Sequence, residues 1–368
     1  MTTVFSDFDY QCMSDALRLA RKGLDSTHPN PRVGCVLARD DEVVGTGWHE
    51  AAGGPHAEIM ALESARGLAE GATAYVTLEP CSHHGRTPPC TAALHEAGIS
   101  RVVMATLDPN PRVNGGGKKA LEQSGVICDV GLMHDQAETL NAGFFKRMRE
   151  GKPFVRLKLA QSLDGRSALA NGESQWITGK AARADGQLWR AQASAVMTGI
   201  GTILADDPSL NVRLPQCARQ PVRVICDSEW RTPLKARTLQ LAGEVWILGR
   251  EDRDVPTGLR EYAGSLIGVS ASDHGISLGE SLKALAEREI NEVHVEAGGR
   301  LSGALLDEGL VDEILLYLAP CTLGADAQPA VAMQAVRTMG ERREFEMLEC
   351  INVGQDLRLR LTPLRGAA

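Results

Sequence analysis

Two short segments constrain this chain more than anything else in it. PHAE (Pro55–Glu58) sets a histidine and a glutamate two residues apart at the head of a helical pattern. EPCSHHGRTPPC (Glu79–Cys90) supplies two cysteines, the second opening another helical pattern. Imidazole and thiolate are the ligands zinc prefers. A fold that brings His56, Cys81 and Cys90 onto one ion leaves a fourth position for water. Bound zinc lowers the pKa of that water from about 15.7 to about 7. Glu58 can then move protons without occupying the metal.

An H-x-E segment followed by P-C and a second cysteine suits hydrolytic deamination of an amino-pyrimidine, where the usual cysteine spacing is C-x-x-C. Here eight residues separate Cys81 from Cys90. A closed structural site, with His83 or His84 as fourth ligand, is the competing reading, and it leaves Glu58 without a task. Net charge decides the kind of substrate. Lys+Arg 39 against Asp+Glu 47 gives -8, and only 4% of residues are aromatic. Neither favours a track for a nucleic-acid strand, so a small, phosphorylated substrate is expected, with no nucleic acid as partner. No apolar run is long enough to span a bilayer, so no membrane partner is expected. The N-terminal segment carries Asp7 and Asp9 where a signal peptide needs positive charge, so a cytoplasmic protein is expected. Nine scattered cysteines do not suggest a disulfide framework.

Strand and helix patterns alternate along the first 150 residues. Helices are predicted at Asp9–Lys22, His56–Arg66 and Pro88–Gly98, and strands at Val33–Arg39, Glu42–Trp48, Thr73–Leu78 and Arg101–Thr106. This alternation implies a sheet covered on both faces. A boundary is predicted near REGKP (Arg149–Pro153), separating residues 1–149 from residues 150–368. Beyond it, strands are predicted at Phe154–Ser162, Ser194–Gly199, Pro221–Asp227, Glu244–Gly249, Glu292–Gly298 and Glu313–Pro320. Helices are predicted at Ala181–Ala191, Leu278–Glu289 and Ser302–Glu308, giving a second α/β domain. Within it, HVEAGGRLSGALLDEG (His294–Gly309) runs from a strand through two glycines into a helix. Such a turn can offer backbone N–H groups to a pyrophosphate, or can be no more than a tight connection.

HPNPRVG (His28–Gly34), PHAE, EPCSHHGRTPPC and DPNPRVNGGG (Asp108–Gly117) together resemble the bifunctional deaminase/reductases of riboflavin biosynthesis. The resemblance extends through SLDGRSALANGESQWITG (Ser162–Gly179), the span Arg190–Arg213, and VEAGGRLSGALL, so it covers nearly the whole chain. It makes the wide cysteine spacing a family feature. It implies a cytidine-deaminase-like α/β/α domain over residues 1–149 and a dihydrofolate-reductase-like α/β domain over 150–368. The implied activities are deamination of 2,5-diamino-6-(5-phosphoribosylamino)pyrimidin-4-one with one Zn2+, then reduction of the opened ribose with NADPH. A homo-oligomer is expected.

Carried over residue by residue, the resemblance implies His56, Cys81 and Cys90 as zinc ligands and Glu58 as proton donor. Asn30 and His83 would position the pyrimidine, although each could equally shape a turn or cap a loop. NADPH contacts are implied at Ala160, Trp176, Thr202, Asp206 and Ser228, and along the turn Gly298, Gly299, Arg300, Leu301, Ser302, Gly303, Ala304. Arg300 stands where relatives often carry a smaller residue or proline. Substrate contacts are implied at Ser174, Arg190, Leu210, Arg213 and Glu296. A guanidinium offers paired donors, so Arg190 and Arg213 suit a clamp on the 5-phosphate. Trp176 would line the nicotinamide pocket or fill the core. Two other readings compete: a single-activity nucleoside, tRNA or DNA deaminase with a non-catalytic C-terminal domain, and a zinc-stabilised binding module without turnover.

Overall fold

The computed structural model describes residues 4–82, 89–111, 113–262, 265–273 and 275–364, and the chain divides into two compact units, Met1–Gly151 and Lys152–Ala368. The first unit runs α1 (Asp7–Ala20), β1 (Gly34–Arg39), β2 (Glu42–Trp48), α2 (Ala57–Ala65), β3 (Thr73–Val76), α3 (Cys90–Glu96), β4 (Arg101–Met104), α4 (Gly116–Gln123), β5 (Ile127–Val130), α5 (His134–Leu140) and α6 (Ala142–Glu150). Its sheet has the order β2-β1-β3-β4-β5. β1 is antiparallel to both β2 and β3, and β3, β4 and β5 run parallel.

Side chains alternate across a strand, so β1 feeds two cores at once. Cys35 and Leu37 join Ala57, Ala61 and Ala65 of α2 on one face. Val36 and Ala38 meet Met13, Ala16 and Leu17 of α1 on the other. The α2 face is set by small residues. A Cβ on Gly47 would lie 2.4 Å from the Ala57 carbonyl oxygen, and one on Gly45 would lie 2.4 Å from that of Ala61. Glycine in the strand against alanine in the helix brings the two backbones together. That contact fixes the start of α2, where His56 and Glu58 sit.

The second unit contains β6 (Phe154–Ser162), β7 (Arg166–Ala168), α7 (Lys180–Gln192), β8 (Ala195–Gly199), α8 (Ile200–Asp206), β9 (Val222–Cys226), α9 (Arg237–Gln240), β10 (Val245–Arg250), α10 (Thr257–Tyr262) and β11 (Ser265–Val269). It continues with β12 (Ala271–Ser272), β13 (Gly275–Ile276), α11 (Leu278–Glu287), β14 (Glu292–Val295), α12 (Gly299–Asp307), β15 (Glu313–Ala319), β16 (Gln328–Pro329), β17 (Phe345–Val353) and β18 (Asp356–Pro363). The main sheet has the order β11-β10-β9-β8-β14-β6-β15-β18-β17. From β11 to β15 every neighbouring pair is parallel, and the β17–β18 hairpin adds an antiparallel edge.

β6 shows how the two faces differ. Val155, Leu157 and Leu159 enter the large apolar core with Val293 and Val295 of β14 and Leu282, Leu285 and Leu305 of the helices. Between them, Arg156 and Lys158 point the other way and are charged. Arg156 donates to Glu313 at 2.6 Å and pairs with Glu292 at 3.4 Å. Trp189 of α7 lies against this layer, with the guanidiniums of Arg156, Arg358 and Arg360 4.7, 5.5 and 5.4 Å from its ring centroid. A guanidinium over an indole face is electrostatically favourable. The face under α7 therefore carries buried charges beside the apolar cluster of Ala182, Leu315 and Tyr317.

Candidate active sites

In the first unit, the Nδ1 atom of His56 lies 3.2 Å from Cys90 Sγ and 3.5 Å from Cys81 Sγ. All three donor atoms fall within 4.8 Å of one another, the one such cluster among the described residues. Two helix starts create it: His56 is the N-cap of α2 and Cys90 is the first residue of α3. The amide of Cys90 donates to Cys81 Sγ at 3.4 Å. Helix N-termini and N–H donors favour thiolate. Hydrogen bonds from Cys90 and His56 outweigh burial and hold the Cys81 thiol well below its ordinary range. An imidazole and two sulfurs at these separations fit a tetrahedral zinc, whose bonds are about 2.0–2.3 Å.

Glu58, in the first turn of α2, is 3% exposed and in hydrogen-bond contact with Cys90. Burial pushes its carboxyl up from the ordinary range, with His56 opposing. A buried carboxyl beside the three donors, itself outside the donor set, is suited to exchanging protons. His83, and His84 with it, lie outside the described residues.

Asn30 meets a partner that sequence reasoning missed. Its Nδ2 lies 3.0 Å from Nε2 of His49, whose Nδ1 lies 2.9 Å from the Pro55 carbonyl oxygen. A carbonyl can only accept, so Nδ1 carries the hydrogen and Nε2 accepts from Asn30. Burial holds the His49 pKa down, consistent with this neutral form. The His49 ring stands edge-on to His56 at 5.5 Å. The DPNPRVNGGG segment is tied to the same place by Glu79. Its buried carboxylate accepts the backbone N–H groups of Asp108, Gly115 and Lys118 at 3.0, 3.0 and 2.9 Å.

In the second unit, the residues singled out from sequence gather past the C-terminal ends of neighbouring parallel strands. Ala160 is late in β6, Thr202 and Asp206 lie in α8 after β8, Ser228 follows β9, and Glu296 and Gly298 follow β14. The C-terminal edge of an open parallel sheet is where such folds bind ligands. Gly298 is the N-cap of α12, and a Cβ there would meet only the Thr202 hydroxyl, at 3.9 Å. The first amides of a helix lack intrahelical partners, so this open turn fits a phosphate-bearing cofactor.

The rest of that turn behaves differently. A Cβ on Gly299 would lie 2.7 Å from the Pro329 carbonyl oxygen, and one on Gly303 would lie 2.0 Å from that of Ala332. Leu301 and Ala304 pack against the apolar core, Ser302 is fully buried, and Arg300 is exposed. Gly299 and Gly303 thus have packing reasons of their own.

Trp176 is 67% exposed, with the Arg183 guanidinium 4.3 Å from its ring centroid, so it does not fill the core. Ser174 is half-buried close by in sequence. Arg190 grips both oxygens of Glu296, one of them at 2.8 Å, and donates a third bond to the Asn211 carbonyl at 3.0 Å. Three of its five N–H donors are thus engaged within the protein. Arg213 is exposed, with one donor on Ser209 Oγ at 3.1 Å. Leu210 is buried with φ of 52°. Sequence reasoning also missed Lys158, whose ammonium is disfavoured by burial and supported by Glu296. His294, fully buried, has Nε2 3.4 Å from the same carboxylate.

Residues 153–359 match the family described as the RibD C-terminal domain, and residues 6–106 match the cytidine and deoxycytidylate deaminase zinc-binding region. The riboflavin biosynthesis protein RibD of Escherichia coli is 46% identical, the alignment covering 96% of this chain and 99% of that protein. Its Haemophilus influenzae counterpart is also 46% identical, covering 98% of each. The solved structure of Acinetobacter baumannii RibD superposes with a TM-score of 0.90 at 45% identity, covering 97% of this chain and 99% of that one. A diaminohydroxyphosphoribosylaminopyrimidine deaminase/5-amino-6-(5-phosphoribosylamino)uracil reductase from Thermotoga maritima gives 0.86 at 34% identity, with the same coverage. With both regions matched and both units shared from end to end, the chain belongs to the RibD family of riboflavin-biosynthesis proteins.

Proposed function

We propose that this chain deaminates 2,5-diamino-6-(5-phosphoribosylamino)pyrimidin-4-one in its first unit and reduces the ribosyl group of the product with NADPH in its second. The observation that carries the reading is the cluster of His56, Cys81 and Cys90 with buried Glu58 beside it, on a chain that continues into a matched reductase domain. His56, Cys81 and Cys90 hold zinc, which when bound supplies the acidified water that deamination consumes. Glu58 takes up a proton on its carboxylate and returns one to the departing amino nitrogen. Asn30, oriented by neutral His49, and His83 hold the pyrimidine. The deaminase occupies residues 1–149 and the reductase residues 150–368, a division supported by the break in chain contacts at Gly151.

NADPH, when bound, supplies the hydride. Ala160, Trp176, Thr202, Asp206, Ser228 and the turn Gly298–Ala304 hold the cofactor, with Gly298 and exposed Arg300 the parts of that turn facing it. Ser174, Leu210, Arg190, Glu296 and Arg213 form the substrate side. The 5-phosphate falls to Arg213, because the charge of Arg190 is paired with Glu296 whereas the guanidinium of Arg213 is exposed. No helix among the described residues is long and apolar enough to cross a membrane. A cytoplasmic homo-oligomer acting on a small phosphorylated pyrimidine completes the reading.

The test supplies purified protein with the diaminopyrimidinone substrate. Ammonia is expected without NADPH, and NADPH oxidation is expected only once deaminated product is present. Ammonia release without any NADPH oxidation would favour a single-activity deaminase.

A further inference from the structure

The loop that carries Arg213 is held unusually firmly for its position. Leu210 is buried among Val196, Ile203, Ile225 and Trp230 while its backbone adopts a left-handed φ of 52°. A leucine persists there only where surrounding contacts over-determine the chain path. The next three residues supply those contacts, bonded by two side chains of α7 and by Gln220, which precedes β9. The Asn211 carbonyl accepts from Arg190 at 3.0 Å. Val212 is clasped at both backbone groups by one side chain: its N–H donates to Gln220 Oε1 at 2.8 Å, and its carbonyl accepts from Gln220 Nε2 at 3.0 Å. The Arg213 N–H donates to Gln187 Oε1 of α7 at 2.9 Å.

The amide of Gln220 thus takes the part of a neighbouring strand, and Gln187 extends the ladder by one residue. The product of this clasp is a fixed backbone from which an exposed guanidinium projects beside the Arg190–Glu296 pair, close enough for both to act on its charge. We propose that Gln187 and Gln220 are positioning residues for the reductase reaction, holding residues 211–213 so that Arg213 meets the substrate phosphate. The proposal rests on the reading of Arg213 as the phosphate anchor. Neither glutamine touches the reacting atoms. Each acts through Arg213, so its effect should depend on whether the substrate carries a phosphate at all.

The experiment compares 5-amino-6-(5-phosphoribosylamino)uracil with its dephosphorylated form, using wild type, Gln220→Met, Gln187→Met, Arg213→Ala and the double variant Gln220→Met/Arg213→Ala of the full chain. Methionine keeps the length of glutamine and removes its amide. Each glutamine variant should lose about tenfold in reductase kcat/KM on the phosphorylated compound, as expected for a misplaced anchor. It should match wild type on the dephosphorylated one, which also shows that the variant is folded. Adding Gln220→Met to Arg213→Ala should cost nothing further, because residues acting through one contact are not additive. Equal losses on both substrates, no loss, or additivity with Arg213→Ala would overturn the proposal while leaving the phosphate anchor standing. Full phosphate preference in Arg213→Ala would instead overturn the anchor, and the proposal with it.

Discussion

The guanidinium of Arg190, in α7, bonds both carboxylate oxygens of Glu296 at the end of β14, across 106 residues of chain. Burial pushes the Glu296 carboxyl up, and Arg190, with help from His294 and Lys158, holds it well below the usual range. The pair therefore fixes a charged acid at the C-terminal edge of the reductase sheet.

Breaking that pair should destabilise the second unit in a pH-dependent way. Arg190→Met leaves a buried carboxylate without its partner, a change that costs about 3–5 kcal/mol. In wild type the depressed Glu296 contributes stability above its unfolded pKa, and this is lost only as pH falls through the folded value. In the variant, burial prevails and the carboxyl takes up a proton under mildly acidic conditions. Urea melts should show a stability gap that is widest near neutrality and narrows on acidification. A gap independent of pH would disconnect the loss from Glu296.

Asp9 plays a comparable part in the first unit. It caps α1 through Ser6 and accepts from Arg101 at 2.6 Å and from the Tyr75 hydroxyl at 2.8 Å. Burial raises its pKa, but the Ser6 amide and Arg101 bring it to about 2. Its contribution should be complete above the ordinary carboxylate value and disappear as pH falls through about 2. Asp9→Asn should cost about 1.5–3 kcal/mol at neutral pH. Zinc released to a chelator during unfolding reports on this unit, and wild-type release behaviour in the variant would contradict the role.

Zinc retention tests the proposed ligand set of His56, Cys81 and Cys90. Cys81→Ala or Cys90→Ala should lose both metal and deamination, because two remaining ligands do not hold the site. NADPH-dependent reduction of deaminated substrate should survive in both variants. A zinc-replete, fully active variant would remove that cysteine from the donor set.

Arg213→Ala should lower reductase kcat/KM by about 10²-fold, on the order of 3 kcal/mol for a charge-assisted contact. Arg213→Lys should recover part of the loss, since a point charge does not reproduce the paired donors of guanidinium. Deamination should be unchanged by either. Near-wild-type kinetics in both variants would return Arg213 to the status of a surface residue.

The cluster of His56, Cys81 and Cys90 is legible in the sequence because its parts are local. His56 and Glu58 share one helix start and Cys90 opens another, so motif and geometry coincide. His49 left no such signal, since its link to the site runs through the Pro55 carbonyl and an asparagine earlier in the chain. The parallel strands β6, β8, β9, β10, β14 and β15 are legible in the sequence as apolar or alternating stretches. The β17–β18 hairpin is not, because charged and apolar residues intermix on a largely exposed edge. Lys158 was within reach: FVRLKLAQS alternates, setting Arg156 and Lys158 opposite Val155, Leu157 and Leu159. An alternating charged face ordinarily reads as solvated, and only α7 lying over it makes these residues buried. The pairing of Arg190 with Glu296 likewise appears only in three dimensions, and it divides the two arginines that the sequence suggests as a joint clamp.

The central claim is that two chemistries reside in separate parts of one chain, and Glu58→Gln tests it most directly. Zinc content, ammonia release from the diaminopyrimidinone, and NADPH oxidation on already deaminated substrate are measured on the same preparation. The account predicts stoichiometric zinc, deamination lowered by at least about 10²-fold for a lost general acid/base, and wild-type reduction. Loss of zinc, or equal loss of both reactions in the folded protein, would contradict it.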